Sequence, residues 1–305
     1  MGGSGIGMIA ASILDGMPEV QVAGFVNDRV AVGTQIGKYK VVDGIKCFSP
    51  DVANAYANYP ESGYGLMDRK SFWFRSRNRL FGSFVRQYAR AEGKTRFLEI
   101  GCGRGDFIRQ ISGNANLEIT GSEIYLKGLL RARKELPGIE FIQLDVTRDT
   151  LNGQFDIIAA FDVIEHIEDD AAAISNINRM LRRGGVLIMT VPQHMFLWGR
   201  LDEFLRHRRR YSRRELAGKL AQNGFAVARC TSFVFVLFPL MLISRLFDRG
   251  CERSQPDEAS IGRRINVGGV LNWILDFFMR IDEALIRLGL SLPFGGTLLV
   301  VARKV

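Results

Sequence analysis

The tract Phe97-Leu98-Glu99-Ile100-Gly101-Cys102-Gly103-Arg104-Gly105-Asp106 constrains this chain more than any other. An apolar strand runs into Gly-x-Gly-x-Gly, and a helical pattern follows. Glycines at such a turn let the backbone bend sharply and lie against a ligand with no Cβ in the way. A dinucleotide-binding loop reads Gly-x-Gly-x-x-Gly. Here Asp106 takes the place of its last glycine, and the third glycine is Gly105. A turn that needs glycine only for packing is the alternative at this level.

From about Ser71 to Cys230, apolar runs alternate with helical patterns, which predicts a mostly parallel α/β sheet. Strands are expected at Arg96–Ile100, Leu117–Gly121, Glu140–Leu144, Phe155–Ala160, Val186–Val191, Ala226–Cys230 and, last, Thr297–Ala302. Helices are expected at Asp106–Gly113, Tyr125–Leu136, Asp170–Arg182 and Arg213–Asn223. Glu123 follows the second strand, 18 residues after Gly105. A carboxylate there accepts both hydroxyl protons of a ribose, a device that NAD-binding folds share. Asp145 ends the third strand, where it can accept a hydrogen bond from an adenine amino group or cap the turn before Thr147.

Together these pieces resemble a class I S-adenosylmethionine-dependent methyltransferase. The resemblance covers about Trp73 to Cys230 and the last strand. It is carried by LEIGCGRGDF, Glu123, Asp145, FDIIAAFDVIEHI (Phe155 to Ile167) and RMLRRGGVLIMTVP (Arg179 to Pro192). It implies a Rossmann-like, seven-stranded, mostly parallel sheet with helices on both faces and an antiparallel last strand. It also implies S-adenosylmethionine as cofactor. Gly101, Cys102, Gly103 and Gly105 would lie at its methionine end, Glu99 near its ammonium, Glu123 on the ribose, and Asp145 and Val146 near adenine. Phe161 and Asp162 follow the fourth strand, with Glu165 and His166, and would stand near the transferring methyl.

All three histidines fall in motif-like places: His166, His194 and His207. A histidine titrates near neutral pH, so His166 and His194 are candidate bases, each with a purely structural alternative. No two have the short spacing of a helical zinc motif, so no metal is expected. The tract Val191 to Leu216 resembles a segment of one bacterial subset of these methyltransferases, with Trp198, Asp202 and His207-x-Arg-Arg-Tyr-Ser. Six arginines lie between residues 206 and 214. Trp198, His207, Arg209 and Arg210 are candidate substrate contacts and Tyr211 a candidate catalytic group, with the arginines forming an anion clamp. The alternative is a solvated basic face leading into a helix capped by Ser212.

Residues 1–65 form a Gly-rich leader, and 66–305 the methyltransferase-like domain. Residues 1–45 faintly resemble the start of the nucleotide-sugar-binding domain of bacterial sugar acyltransferases, with Gly3 to Gly7 and a strand at Val20–Val26. Residues 231–293 are a long hydrophobic insertion before the last strand. Within it, Leu271, Ile274, Leu275, Phe278, Ile281, Leu285 and Leu288 share one helical face, and Asp276, Arg280, Glu283 and Arg287 the other. The insertion suits a lid, a packed helical pair, a dimer contact or a peripheral membrane contact with Arg245, Arg249 and Arg253 at lipid heads. The uncharged run Cys230 to Ser244 is 15 residues, short of the ~20 that a spanning helix needs.

Lys and Arg number 41 against 32 Asp and Glu, a net charge of +9 that favours anionic partners. Four scattered cysteines suit a reducing compartment. The expected protein is therefore a cytoplasmic enzyme, at or near the inner membrane face, acting on a small or lipid-linked, anionic acceptor. An RNA methyltransferase is the first alternative, but the basic residues form one cluster and no RNA-binding module is evident. A non-catalytic, membrane-associated cofactor-binding protein is the second. The acceptor atom and the oligomeric state are not legible.

Overall fold

The computed structural model describes residues 34–36, 39–49, 69–250 and 267–305. The glycines at residues 3–7, the strand expected at Val20–Val26 and Arg253 lie outside the described residues. Ten strands form one sheet: Thr34–Ile36 (β1), Tyr39–Val42 (β2), Ile45–Cys47 (β3), Thr95–Ile100 (β4), Leu117–Glu123 (β5), Glu140–Gln143 (β6), Phe155–Phe161 (β7), Leu181–Pro192 (β8), Phe225–Phe233 (β9) and Thr297–Lys304 (β10). Their spatial order is β1-β2-β3-β6-β5-β4-β7-β8-β10-β9. The seven strands from β6 to β9 in that order are the expected sheet, and β10 runs antiparallel to both its neighbours. The sheet is nevertheless wider than seven strands. The leader adds a small antiparallel meander whose last strand pairs parallel with β6, Lys46 opposite Ile142 and Cys47 opposite Gln143.

Burial on both faces explains the continuous apolar strands; every residue of β7 is buried. Side chains alternate across the sheet. Phe97, Ile157, Ile188 and Leu299 belong to one core with residues of Phe72–Tyr88 (α1), Asp106–Ile111 (α2) and Leu126–Glu135 (α3). Leu98, Ile158, Leu187 and Leu298 belong to the other, with Ile174 and Ile177 of Asp170–Met180 (α4) and Leu216 and Leu220 of Arg213–Gln222 (α6). A short helix, Arg200–Phe204 (α5), lies between α4 and α6. Ser212 caps α6, accepting the Glu215 N–H at 3.2 Å.

The insertion between β9 and β10 carries Phe238–Gly250 (α7) and Gly269–Arg287 (α8). Here the structure reverses the simple amphipathic expectation for much of α8. Asp276, Asp282 and Glu283 are buried beside Leu275, Met279 and Ile286, whereas Val270, Leu271, Trp273, Ile274, Phe277 and Phe278 are exposed. The cause is α1, whose facing surface carries arginines. Arg75 and Arg79 donate to Asp276 at 2.8 and 2.9 Å, and Arg79 also donates to Glu283 at 2.6 Å. Ser76 adds a 2.7 Å bond to Glu283. Asp282 accepts the backbone N–H groups of Phe235 and Val236 at 2.5 and 3.0 Å, fixing the approach to α7. Among the described residues, no helix is long and apolar enough to cross a membrane.

Candidate active site

A cavity of about 790 Å³ opens beyond the carboxyl ends of β4, β5, β6 and β7. Ligands in open α/β sheets bind at such a place, where the strand order changes direction. Gly101, Glu123, Asp145, Val146, Asp162, His166 and His207 all line it.

The glycine turn needs its glycines. Gly101, Gly103 and Gly105 have φ of 69°, 56° and 75°, the left-handed region that other residues avoid. A Cβ on Gly101 would also stand 2.5 Å from Val163 Cγ2. One glycine that the motif reading missed completes the packing. A Cβ on Gly128 of α3 would come within 2.9 Å of the Gly103 carbonyl oxygen, so its absence lets the helix meet the loop. A glycine inside a helix is costly, and that cost is the signal that a backbone passes close by.

Glu123 is buried, and its carboxylate accepts the Gly103 N–H at 3.0 Å and the Ile124 N–H at 2.8 Å. It therefore ties the loop to β5 as well as facing the cavity. Asp145 accepts both the backbone N–H and the hydroxyl of Thr147, at 2.9 and 2.7 Å, so the cap is real and coexists with a cavity-lining position. Its own N–H donates to Ser49 Oγ at 2.9 Å, a support from the leader that the sequence did not reveal. Glu99 lies at the end of β4, buried, with Oε2 lacking a partner. Burial pushes its carboxyl up to about 8, against the pull of Arg77. An orphaned buried oxygen there fits a ligand that brings a cation.

Asp162 follows β7 with φ 55°, an uncommon value for a side-chain-bearing residue and one that clusters at working sites. Arg77 of α1 holds it at 2.7 Å, and Thr190 donates to it at 3.0 Å. Next to it, Glu165 is fully buried, and burial and then Asp162 push its carboxyl well above the usual range. Burial, reinforced by His207, pulls His166 down to about 4, so it is neutral at physiological pH.

Several expected site residues do not line the cavity; Glu99, Gly103 and Gly105 stand before or after Gly101 in sequence without reaching the cavity wall. Phe161 is a core ring, stacked on Phe81 at 4.2 Å and edge-on to Phe107 at 4.9 Å. Cys102 is buried, and burial raises its thiol pKa. Tyr211 is fully buried and donates to Asp170 at 2.6 Å. Burial and that carboxylate push the phenol far up, so it is no base. His194 has φ 65°, stacks on Phe196 and meets Phe238 of the insertion instead. Trp198 is likewise absent from the cavity wall.

The anion clamp fails in its expected form. Arg210 is buried and grips Asp202 through two bonds, 2.8 and 2.9 Å, while Arg209 pairs with Asp170 and donates to the Glu168 carbonyl. Both guanidinium groups are occupied by partners that spacing alone could not identify. The arginines that do line the cavity are Arg206 and Arg208 of the same tract, with Arg148 beside Asp145. Arg208 meets Glu168 and donates to the His166 carbonyl at 3.2 Å.

Carboxylates at the ends of β5 and β6, with an orphaned acid at the end of β4 and a glycine turn after it, suit a nucleoside joined to an amino acid rather than to a pyrophosphate. S-Adenosylmethionine is a ligand of that kind, and a putative sarcosine dimethylglycine methyltransferase from Galdieria sulphuraria shares this fold with a TM-score of 0.51 at 15% identity, covering 74% of this chain and 84% of that one. The chain matches the methyltransferase domain family over residues 67–229, more than half its length, and belongs to that family. A probable S-adenosylmethionine-dependent methyltransferase of Mycobacterium tuberculosis is 27% identical over 173 residues, 55% of this chain and 61% of the relative. The match therefore spans less than two thirds of that relative. A ubiquinone biosynthesis O-methyltransferase of Nitrosococcus oceani is 29% identical over 108 residues, 33% of this chain and 45% of that protein. Among solved structures, the [4+2]-cyclase SpnF shares the fold with a TM-score of 0.53 at 17% identity, covering 83% of this chain and 93% of that one.

Proposed function

We propose that the protein moves the methyl group of S-adenosylmethionine to an acceptor presented at an anionic lipid surface. The orphaned oxygen of Glu99, two residues before a left-handed glycine turn, carries the cofactor half of this reading. In it, Glu99 holds the ammonium end, Gly101, Gly103 and Gly105 the methionine portion, Glu123 the ribose, and Asp145 and Val146 the adenine. The cofactor supplies an electrophilic methyl on a sulfonium. The protein's own task is then to bring an acceptor atom into line with it and keep water away, an orientation effect. Asp162, His166, Arg206 and His207 border the space left for that acceptor. The O-methyltransferase relative supports an oxygen acceptor.

S-Adenosylhomocysteine at one hundred times its Kd adds about 2.7 kcal/mol of stability. The expected result is a rise in melting temperature of roughly 5–10 °C, absent with NAD and lost in Glu123→Ala. No rise, or a rise with NAD alone, would sink the reading. The same titration has a predictable pH dependence. In the free protein Glu99 is protonated below its pKa of about 8, and a bound ammonium favours the ionised form. Binding then releases a proton, so affinity climbs as pH rises by up to about tenfold per unit and levels off above pH 8. Glu99→Gln flattens this slope; a slope unchanged in that variant refutes the assignment.

The lipid half rests on the outward face of α8, where Trp273 is 66% exposed and Phe277 53%. Apolar and aromatic side chains on one helical face, with cationic neighbours, suit a bilayer surface. Arg280 and Arg75, both paired with Asp276 of α8, are 56% and 40% exposed. The protein is expected to float with phosphatidylglycerol vesicles, less so at high salt, and to lose retention when Trp273 and Phe277 are both replaced by Glu. Equal flotation by that variant would remove the lipid surface from the proposal.

A further inference from the structure

Glu165, His166 and His207 each offer one ligand atom, and those three atoms lie within 4.8 Å of one another. Glu165 sits in the short 3-10 turn Ile164–His166 with no exposed surface, and neither carboxylate oxygen has a hydrogen-bond partner. Buried polar groups are nearly always paired, so an orphaned carboxylate calls for a specific explanation. Its backbone is engaged, the carbonyl accepting the Arg208 N–H at 2.8 Å, so the turn is held whatever the side chain does.

The histidines are arranged to supply the missing partner. His207 Nδ1 lies 2.9 Å from Asp202 Oδ1, and Asp202 is itself gripped by Arg210. An ionised Asp202 accepts the Nδ1 proton, which leaves Nε2 as the unprotonated nitrogen, 4.0 Å from Glu165 Oε1. That separation is too long for a hydrogen bond and suits two ligands sharing an ion. A carboxylate on the far ring nitrogen is the usual way a metal-binding histidine is held. The His166 ring meets the His207 ring edge-on with centroids 4.7 Å apart. His166, His207 and Asp162 line the cavity, and Glu165 lies buried within ligand distance of both histidines.

We propose that Glu165, His166 and His207 bind one divalent transition-metal ion, with its remaining coordination positions open to the cavity for oxygen donors of the acceptor. Two imidazoles and one carboxylate favour Zn²⁺, Mn²⁺, Fe²⁺ or Co²⁺ over Mg²⁺ and Ca²⁺, which prefer all-oxygen sites. The acceptor's place on the ion rests on the methyl-transfer reading; binding of the ion does not. Short sequence spacing gave no hint of this site because His207 reaches it from 41 residues beyond His166, through the fold alone.

The test uses the full chain, stripped with chelator and titrated with Zn²⁺ and, separately, Mn²⁺ in a calorimeter. One ion per chain is expected, weakened at least about tenfold in Glu165→Gln and in His207→Ala. Mn²⁺ bound to the intact chain should show couplings to histidine nitrogen in spin-echo spectra, and these should weaken in His207→Ala. Retained binding of S-adenosylhomocysteine identifies the variants that keep their fold, and Glu165→Gln preserves shape if His207→Ala does not. No ion binding by the intact chain, or equal binding by a folded variant, overturns the site. Failure of the intact chain to bind S-adenosylhomocysteine would instead count against the methyl-transfer reading, whatever the ion does.

Discussion

Glu283→Ala is expected to lower the melting temperature by roughly 6–12 °C and to loosen α8 from α1. The Glu283 side chain is 4% exposed and serves Ser76 and both nitrogens that Arg79 presents. Removing one partner of a buried ion pair costs about 3–5 kcal/mol, because the other is left uncompensated. Arg79 keeps Asp276 and is 24% exposed, so the low end, about 3 kcal/mol, applies, and each kcal/mol is worth ~2–4 °C in a domain of this size. Glu283→Gln preserves the Ser76 bond and should recover part of the loss. Acid should do the same work without mutation. Burial alone would raise the Asp276 pKa, but hydrogen bonds from Arg79 and Arg280 bring it below its usual 3.8. A depressed carboxylate stabilises the fold above its ordinary pKa and loses that contribution as pH falls further. Proteolysis of the insertion should therefore accelerate below about pH 4. A shift under 2 °C in Glu283→Ala would show that the apolar flank of α8, not the acids, holds the helix.

Asp202→Ala is the second large effect, an expected loss of about 3–5 kcal/mol in urea denaturation. Asp202 is buried and receives four bonds: two from Arg210, one from His207 and one from the Gly199 N–H at 2.9 Å. Its removal strands a guanidinium that is only 6% exposed. Replacing the pair with apolar side chains, Asp202→Leu with Arg210→Met, should be less harmful than Asp202→Ala alone, since no buried charge is left behind. If the double variant is as unstable as the sum of its parts, the pair is not what holds this loop.

The parts of the site that a reader of the sequence can find are those where the backbone leaves no choice. Gly101, Gly103 and Gly105 sit where φ must be positive, and strand ends announce Glu123 and Asp145. The expected strands and helices match within a few residues for the same reason, because buried parallel strands are continuous apolar runs. What fails is partner assignment. Arg209, Arg210 and Tyr211 looked free to bind substrate, yet Asp170 and Asp202 engage them, and neither pairing follows from spacing. The inward acids of α8 looked like a solvent face because the α1 arginines that receive them lie about 200 residues away. Ser49 supports Asp145 across nearly 100 residues, a contact with no local signature.

The place of β10 has a consequence for how the molecule is made. This strand sits between β8 and β9, yet the chain reaches it only after residues 234–296. During synthesis β8 and β9 must wait as open edges, with hydrogen-bonding groups and apolar side chains uncovered, until the insertion has been completed. Such edges invite pairing with other chains, and contacts this distant form slowly. The insertion therefore sets a period of vulnerability between translation of β9 and arrival of β10. Slow elongation through it, or a longer insertion, should raise the fraction of newly made protein lost to aggregation.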